Sequence, residues 1–164
     1  MSSTNPTAVR GKPPGRAPRI LFLDDDPRRA EIFLAENPSA VWVQTVTECI
    51  TQLAERWDEV HLDHDLGGEQ FVAVDREDCG MEVVRWLCLG ARPHLLKTRF
   101  YIHSHNVAAG SVMTLQMCGS GYWAEFRPFG QPSHTGDDGS TEMEAYRPRG
   151  FRARLLELLR RFAR

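Results

Sequence analysis

The chain has 164 residues, 41% of them hydrophobic and 26% charged, with 20 basic and 22 acidic side chains. This length predicts a single hydrophobic core, and the composition excludes wholesale disorder. No apolar run approaches the roughly 20 residues of a membrane-spanning helix, and the polar, basic start of the chain differs from a secretory signal. The four cysteines form no Cys-x-x-Cys pair. We therefore expect a reduced, cytoplasmic protein without membrane contact.

Predicted strands and helices alternate through the first half of the chain. Residues 1–18 are rich in proline and glycine and are expected to form a flexible basic leader outside the fold. Beyond it, short β-branched or apolar runs predict strands and one-sided apolar spacing predicts helices. The predicted elements are a strand over 20–23, a helix over 27–36, a strand over 41–46, a helix capped by Thr47, and a strand over 60–62.

The second half continues the alternation after a long loop. The predicted elements are a loop over 66–78, a helix over 81–89, a strand over 99–103, a helix over 106–118, a strand over 122–126, a polar loop insertion over about 130–149, and a helix over 151–162. Alternation of this kind predicts an α/β fold with a parallel sheet. The right-handed crossover rule then favours a doubly wound, five-stranded, flavodoxin-like three-layer sandwich, which makes residues 19–164 one domain.

Both ends of the chain are basic, whereas the middle is acidic. The last predicted helix contains several arginines together with Leu155, Leu156, Leu158 and Leu159. A helix this rich in leucine is expected to pack with its basic face in solvent. The alternative interpretation is a weak contact between the terminal arginines and a nucleic-acid backbone.

Polar residues follow the carboxyl ends of four predicted strands, the edge at which open parallel sheets bind ligands. These clusters are Asp24-Asp25, Asp63-His64-Asp65, His103-Ser104-His105-Asn106 and Arg127. Crowded carboxylates repel one another unless a cation is present, and oxygen ligands suit Mg²⁺. We predict Asp24, Asp25, Asp63 and Asp65 as metal ligands. Zinc fits less well because no cysteine joins the cluster.

Other residues of these clusters suit the handling of a phosphate group beside the metal. The Ser104 hydroxyl and the Arg127 guanidinium can donate hydrogen bonds to phosphoryl oxygens. His64 and His105 can transfer protons near neutral pH. His61 is predicted as a core histidine, and the role of His103 is left open between structure and site.

The segment ILFLDDDP at 20–27 resembles the first strand and acidic pair of response-regulator receiver domains. In that resemblance Asp63 occupies the phosphate-accepting position, Ser104 the Ser/Thr position, and Arg127-Pro128-Phe129 the Lys-Pro-Phe segment. The segments LDHDLGG at 62–68, GMEVVRWL at 80–87 and IHSHN at 102–106 resemble a narrower group, the receiver-like family proposed to process cyclic phosphates.

This second resemblance implies a receiver-like fold and a catalytic set of five residues, Asp63, His64, Ser104, His105 and Asn106. It implies a Mg²⁺-dependent phosphoesterase whose substrate is a phosphorylated or cyclic-phosphate nucleotide or RNA end. Two alternatives stay open. One is a signalling receiver that accepts a phosphoryl group on Asp63, and the other is a degenerate receiver that acts as a binding module.

Overall fold

The computed structural model describes residues 16–128, which contain five parallel strands and four α-helices. The strands are β1 (Ile20–Leu23), β2 (Val41–Val43), β3 (Glu59–Asp63), β4 (Arg99–His103) and β5 (Trp123–Phe126). The helices are α1 (Pro27–Glu36), α2 (Val46–Gln52), α3 (Gly80–Leu89) and α4 (Val107–Gly119), with a short 3-10 turn at Pro93–Leu95.

The strand order in the sheet is β2-β1-β3-β4-β5, and every neighbouring pair is parallel. This is the flavodoxin-like order and confirms the predicted receiver-like α/β fold. The chain leaves β1 toward β2 on one side and returns to β3 on the other, so the order reverses between β1 and β3. Ligands of doubly wound sheets bind beside this reversal.

Local chemistry explains where the helices begin. The Asp26 side chain accepts a hydrogen bond from the Arg28 backbone N–H, and Pro27 occupies the first turn, where no N–H is needed. The predicted cap of α2 was wrong: Thr45, not Thr47, is the N-cap. Thr45 forms a capping box with Glu48, in which each side chain accepts from the other residue's backbone N–H, and this pairing ends β2 early.

The main hydrophobic core lies on one face of the sheet. β1, β3 and β4 direct alternate side chains toward α2, α3 and α4, and the buried cluster includes Leu23, Leu62, Ile102, Val84 and Met113. On the opposite face Phe22 stacks on Phe33 of α1, with ring centroids 4.2 Å apart. Asp24 and Asp63 follow the alternation of this second face, so α1 lies beside the carboxylates.

Several predictions concern residues outside 16–128. These are most of the leader at 1–18, the polar loop insertion at about 130–149, the helix at 151–162 and the nucleic-acid contact of the terminal arginines. They stay predictions. Among the helices that the structure describes, none has the length and apolar character needed to span a bilayer.

Candidate functional site

Two of the predicted polar clusters meet at the reversal of strand order. Asp24 and Asp25 directly follow β1, and Asp63 is the last residue of the adjacent β3. One carboxylate oxygen from each of the three lies within 4.8 Å of the other two. The predicted convergence of these side chains is therefore present, because parallel strands end at the same edge of the sheet.

The guanidinium of Arg29, a residue of α1, lies among these carboxylates. Its Nε donates to Asp24 Oδ2 at 2.8 Å, and its Nη2 donates to Asp24 Oδ1 at 2.7 Å and to Asp63 Oδ2 at 2.8 Å. The same Nη2 is 3.6 Å from Asp25 Oδ1. This residue was not predicted from the sequence. Its position in the first turn of the helix that follows the acidic run is the pattern that could have indicated it.

Burial makes the carboxylates of this site costly to ionise. It raises the pKa of Asp63 to about 8, an effect that Asp24 reinforces and Arg29 opposes. Burial also raises the pKa of Asp24 despite its hydrogen bonds from Arg29. Burial alone would lower the pKa of Arg29, but the surrounding aspartates raise it above its ordinary value. The site therefore requires positive charge to keep its carboxylates ionised.

The donor set fits a hard divalent cation. Asp24, Asp25 and Asp63 offer oxygen ligands close enough to share one ion, which is the chemistry that Mg²⁺ requires. Two of these carboxylates also accept from backbone N–H groups: Asp24 Oδ1 from the Asp26 N–H at 2.8 Å, and Asp25 Oδ2 from the Gly68 N–H at 2.6 Å. Such backbone bonds hold ligands in place around a metal.

The structure does not bring Asp65, the fourth predicted ligand, into this group. Its Oδ1 contacts His64 Nδ1 at 2.7 Å and accepts from the Val72 N–H at 3.0 Å, and its Oδ2 accepts from the Phe71 N–H at 3.1 Å. Asp65 therefore holds the loop after β3. Residue 65 lies beyond the end of the strand, where alternation no longer sets the direction of the side chain.

His64 is fully buried beside Cys79, a proximity that was not predicted from the sequence. Its Nε2 makes no hydrogen bond of standard geometry with the part of the chain described here. Burial alone would lower the pKa of His64, but its interactions with the Cys79 thiol and the Asp65 carboxylate raise it. Burial would raise the pKa of Cys79, but the neighbouring His64 and the Met81 N–H lower it. His64 is thus part of a buried network, and its role in proton transfer stays a prediction.

The segment after β4 is organised around the start of α4. Ser104 is fully buried, and its Oγ accepts from the Asn106 N–H at 2.9 Å. Asn106 caps α4 by accepting from the Ala109 N–H at 3.1 Å, and its amide reaches the Val72 carbonyl at 3.5 Å. His105 is exposed. The cap and the contact with Val72 explain Asn106 without catalysis. The catalytic roles of Ser104, His105 and Asn106 stay predictions.

Arg127 extends the sheet beyond β5, but its guanidinium is paired with Glu125 and not with Asp24, Asp25 or Asp63. Its Nε and Nη2 donate to the Glu125 carboxylate at 2.8 and 3.1 Å, and the group lies 4.0 Å from the Tyr101 ring centroid. The Arg127 N–H donates to the Ile102 carbonyl at 2.8 Å. The predicted contact with phosphate would require this side chain to leave Glu125. It stays a prediction.

His61 and His103 form a hydrogen-bonded pair on the α1 face of the sheet. His61 Nδ1 lies 2.8 Å from His103 Nε2, and His103 Nδ1 lies 2.9 Å from the Arg127 carbonyl. A carbonyl only accepts, so neutral His103 carries its proton on Nδ1 and His61 donates through its own Nδ1. Burial lowers the pKa of His61 to about 3 and that of His103 to about 4. Both rings are therefore neutral near pH 7.

This pair predicts a loss of stability in acid. Unfolded histidines titrate near pH 6.5, so the unfolded state binds protons that the folded pair rejects. When the pH falls from 7 to 5, each ring should therefore lower the free energy of unfolding by about 2 kcal/mol. Asp63 has the opposite pH dependence because its folded pKa is raised. The measurement is therefore a comparison of urea unfolding at the two pH values between the wild type and the variant carrying His61→Gln and His103→Gln.

The double variant should lack the loss of unfolding free energy that the two histidines cause between pH 7 and pH 5. The control variant His94→Gln, in the 3-10 turn, should keep this loss. An identical change from pH 7 to pH 5 in the wild type and the double variant would contradict the assignment of a neutral pair.

A protein-family model described as "Cyclic-phosphate processing Receiver domain" matches residues 19–118. No curated protein matches the chain. The matched range includes the acidic group at the end of β1 and β3 and the segment after β4, and it ends within α4. Arg29 lies inside the range, whereas Arg127 lies outside it.

Proposed function

Because the chain belongs to the family of cyclic-phosphate processing receiver domains, we propose that it is a metal-dependent phosphoesterase that opens cyclic phosphates on nucleotides or RNA ends. The observation that supports this most is the meeting of Asp24, Asp25 and Asp63 at the reversal of strand order. An acidic group at this edge is suited to hold a metal beside a phosphate.

In this proposal Asp24, Asp25 and Asp63 would hold the ion. A bound divalent ion would polarise a phosphoryl oxygen and lower the pKa of an attacking water. The water oxygen forms a bond to phosphorus, one ribose oxygen leaves phosphorus, and the product is a phosphate monoester. The residues of the chain then have to stabilise the charge on the phosphoryl oxygens and protonate the leaving oxygen.

The segment after β4 is the best source of these two functions. The Ser104 hydroxyl lies at the same edge of the sheet as Asp63, because β3 and β4 are adjacent and Asp63 is in register with His103. His105 follows it, and its exposed side chain is accessible to solvent. Ser104 would donate to a phosphoryl oxygen and His105 would donate to the leaving oxygen.

The test is an incubation of the purified full-length chain with 2′,3′-cyclic AMP and Mg²⁺, followed by phosphorus NMR. We expect the cyclic phosphate resonance to be replaced by that of a monoester. Asp63→Asn should lower the rate by at least about 100-fold because it removes a ligand charge from the site. Asp75→Asn, an exposed control in the loop after β3, should keep the rate. No monoester with Mg²⁺ or Mn²⁺ would overturn the proposal.

The position of Asp63 at the end of β3, beside the acidic pair after β1, also suits a phosphoryl-accepting receiver. That function predicts an acid-stable, base-labile adduct after treatment with a small phosphodonor, detected by mass spectrometry and lost in Asp63→Asn. A domain that only binds partners predicts neither hydrolysis nor an adduct, and no stabilisation by Mg²⁺ in thermal melts.

A further inference from the structure

We propose that Arg29 is a resident cation of the acidic site, which leaves the carboxylates when a divalent ion binds and then donates to the phosphate bound beside that ion. The first half of this inference concerns the metal alone. The second half rests on the proposed function only in assuming that the site receives a phosphate group.

Arg29 and a divalent ion require the same space. The Arg29 Nη2 atom is 2.7 Å from Asp24 Oδ1 and 2.8 Å from Asp63 Oδ2, and it is 3.6 Å from Asp25 Oδ1. These are the three carboxylates that could share one ion. Magnesium binds oxygen at about 2.1 Å, so an ion among these oxygens would overlap the guanidinium nitrogen. The two cations are therefore alternatives.

The charges explain why the site always contains one of them. Asp24 and Asp63 have side-chain exposures of 0% and 3%, and neither can rely on water to stabilise its charge. The Arg29 guanidinium supplies a single positive charge to them and to Asp25. A divalent ion supplies two charges to the same carboxylates. Exchange of the guanidinium for the ion thus improves charge compensation without leaving any carboxylate unpaired.

The Arg29 side chain can move without changing the fold. It is 28% exposed, so one side of it already faces solvent. The start of α1 is held by other groups, the Asp26 cap on the Arg28 N–H and the rigid Pro27. Asp26 also offers an outer position, because its Oδ2 is 3.4 Å from Arg29 Nη1 and its side chain is 37% exposed. The guanidinium can shift toward this rim and remain next to the ion.

A displaced guanidinium at the rim is well placed for phosphate. Its planar fork of N–H donors matches two phosphoryl oxygens, which a compact ammonium group does not. Arg127, the arginine predicted for this role, is bound to Glu125. Arg29 is the arginine that the described residues place in contact with the site.

A purely structural ion pair makes a different prediction about metal affinity. If Arg29 only stabilises the fold, its removal weakens the site and lowers or preserves the affinity for the ion. If Arg29 competes with the ion, its removal raises the affinity. The sign of the change separates the two.

The first experiment measures Mn²⁺ and Mg²⁺ affinity by isothermal titration calorimetry in the wild type, Arg29→Gln and Arg28→Gln. Arg28 is the exposed neighbour, and its replacement changes the net charge equally. We expect Arg29→Gln to bind the ions at least about tenfold more tightly and Arg28→Gln to match the wild type, because Coulomb interaction at contact distance far exceeds that of a remote surface charge. Equal or weaker binding by Arg29→Gln would overturn the competition.

If Arg29→Gln does not fold without metal, two further measurements decide. Arg29→Lys keeps a positive charge but lacks the fork, and it should compete less well and bind the ion more tightly than the wild type. In the wild type, the NMR resonance of the Arg29 Nε–H should shift on titration with Mg²⁺, because its hydrogen bond to Asp24 breaks. An unchanged resonance at saturating Mg²⁺ would overturn the exchange.

The second experiment measures binding of inorganic phosphate at saturating Mg²⁺. We expect Arg29→Gln to bind phosphate about tenfold more weakly than the wild type and Arg28→Gln, since a charge-assisted fork is lost. Unchanged phosphate affinity would overturn the phosphate contact. Both experiments measure binding, so a failure to hydrolyse cyclic phosphates would count against the proposed function and leave the role of Arg29 to be judged by these data.

Discussion

Replacement of Gly80 by alanine is expected to destabilise the protein by about 3 kcal/mol or more. A Cβ atom on Gly80 would lie 2.0 Å from the Asp63 carbonyl oxygen and 3.0 Å from the His64 Cα. Both are backbone atoms of the segment that ends β3, so no flexible side chain can relieve the overlap. The Gly80 N–H also donates to the His64 carbonyl at 2.9 Å, which holds α3 against this segment.

The result would run against the usual effect of this substitution. Glycine to alanine at an unstrained position generally stabilises a protein by about 0.4–1 kcal/mol, because the unfolded chain loses freedom. Urea unfolding of Gly80→Ala gives the free energy directly. Gly121→Ala is the control: its φ of +93° disfavours a side chain, but no atom lies within 4 Å of the added Cβ. It should lose only about 1 kcal/mol.

The same substitution should also weaken the metal site, because relief of the overlap requires Asp63 or its neighbours to move. We expect a folded fraction of Gly80→Ala to bind Mn²⁺ more weakly than Gly121→Ala does. A Gly80→Ala protein within about 1 kcal/mol of the wild type would contradict the close approach of α3 to β3.

The second large effect is expected for Asp65→Ala, which should lower the free energy of unfolding by about 3 kcal/mol. The buried Asp65 carboxylate accepts from the Phe71 and Val72 N–H groups and contacts His64 Nδ1. Removal leaves the buried Val72 N–H and the partly buried Phe71 N–H without this acceptor. It also releases Phe71, whose φ of 56° is in the left-handed region that non-glycine residues disfavour.

Two measurements check this prediction. Urea unfolding should show the loss of stability, and amide hydrogen exchange should show faster exchange at Val72, whose N–H is buried in the wild type. Asp75→Ala is the control because Asp75 is an exposed residue of the same loop. Mn²⁺ titration of Asp65→Ala tests the predicted ligand role. If Asp65 only holds the loop, stability is lost and added Mn²⁺ does not restore it. Unchanged stability with lost Mn²⁺ affinity would make Asp65 a ligand and contradict the structural role.

The element order was predictable from the sequence because each strand and helix has a local cause. β1, α1 and β4 have the predicted bounds, and the Asp26 cap explains where α1 begins. The cap of α2 was missed because two threonines compete for it, and the Glu48 carboxylate that decides between them acts only when both groups are in place. The large apolar ring of Trp123 favours a core position, but the side chain is 45% exposed on the last described strand.

The meeting of Asp24, Asp25 and Asp63 was predictable for a topological reason. Alternating strands and helices place all carboxyl ends of parallel strands at one edge, so residues that directly follow strands must converge there. The resemblance to cyclic-phosphate processing receiver domains depended on short segments at these same ends, and the family match confirms it. Sequence alone therefore determined the fold, the family and the edge of the sheet at which the acidic group lies.

The tertiary structure decided which side chains at that edge contact one another. The pairing of Arg29 with Asp24 and Asp63, of Asp65 with the loop, and of Arg127 with Glu125 depends on side-chain directions beyond strand ends and on the approach of α1 to the sheet. No periodicity specifies these directions. Buried carboxylates select the nearest cation or N–H donor, and which donor is nearest follows only from the packed arrangement of the chain.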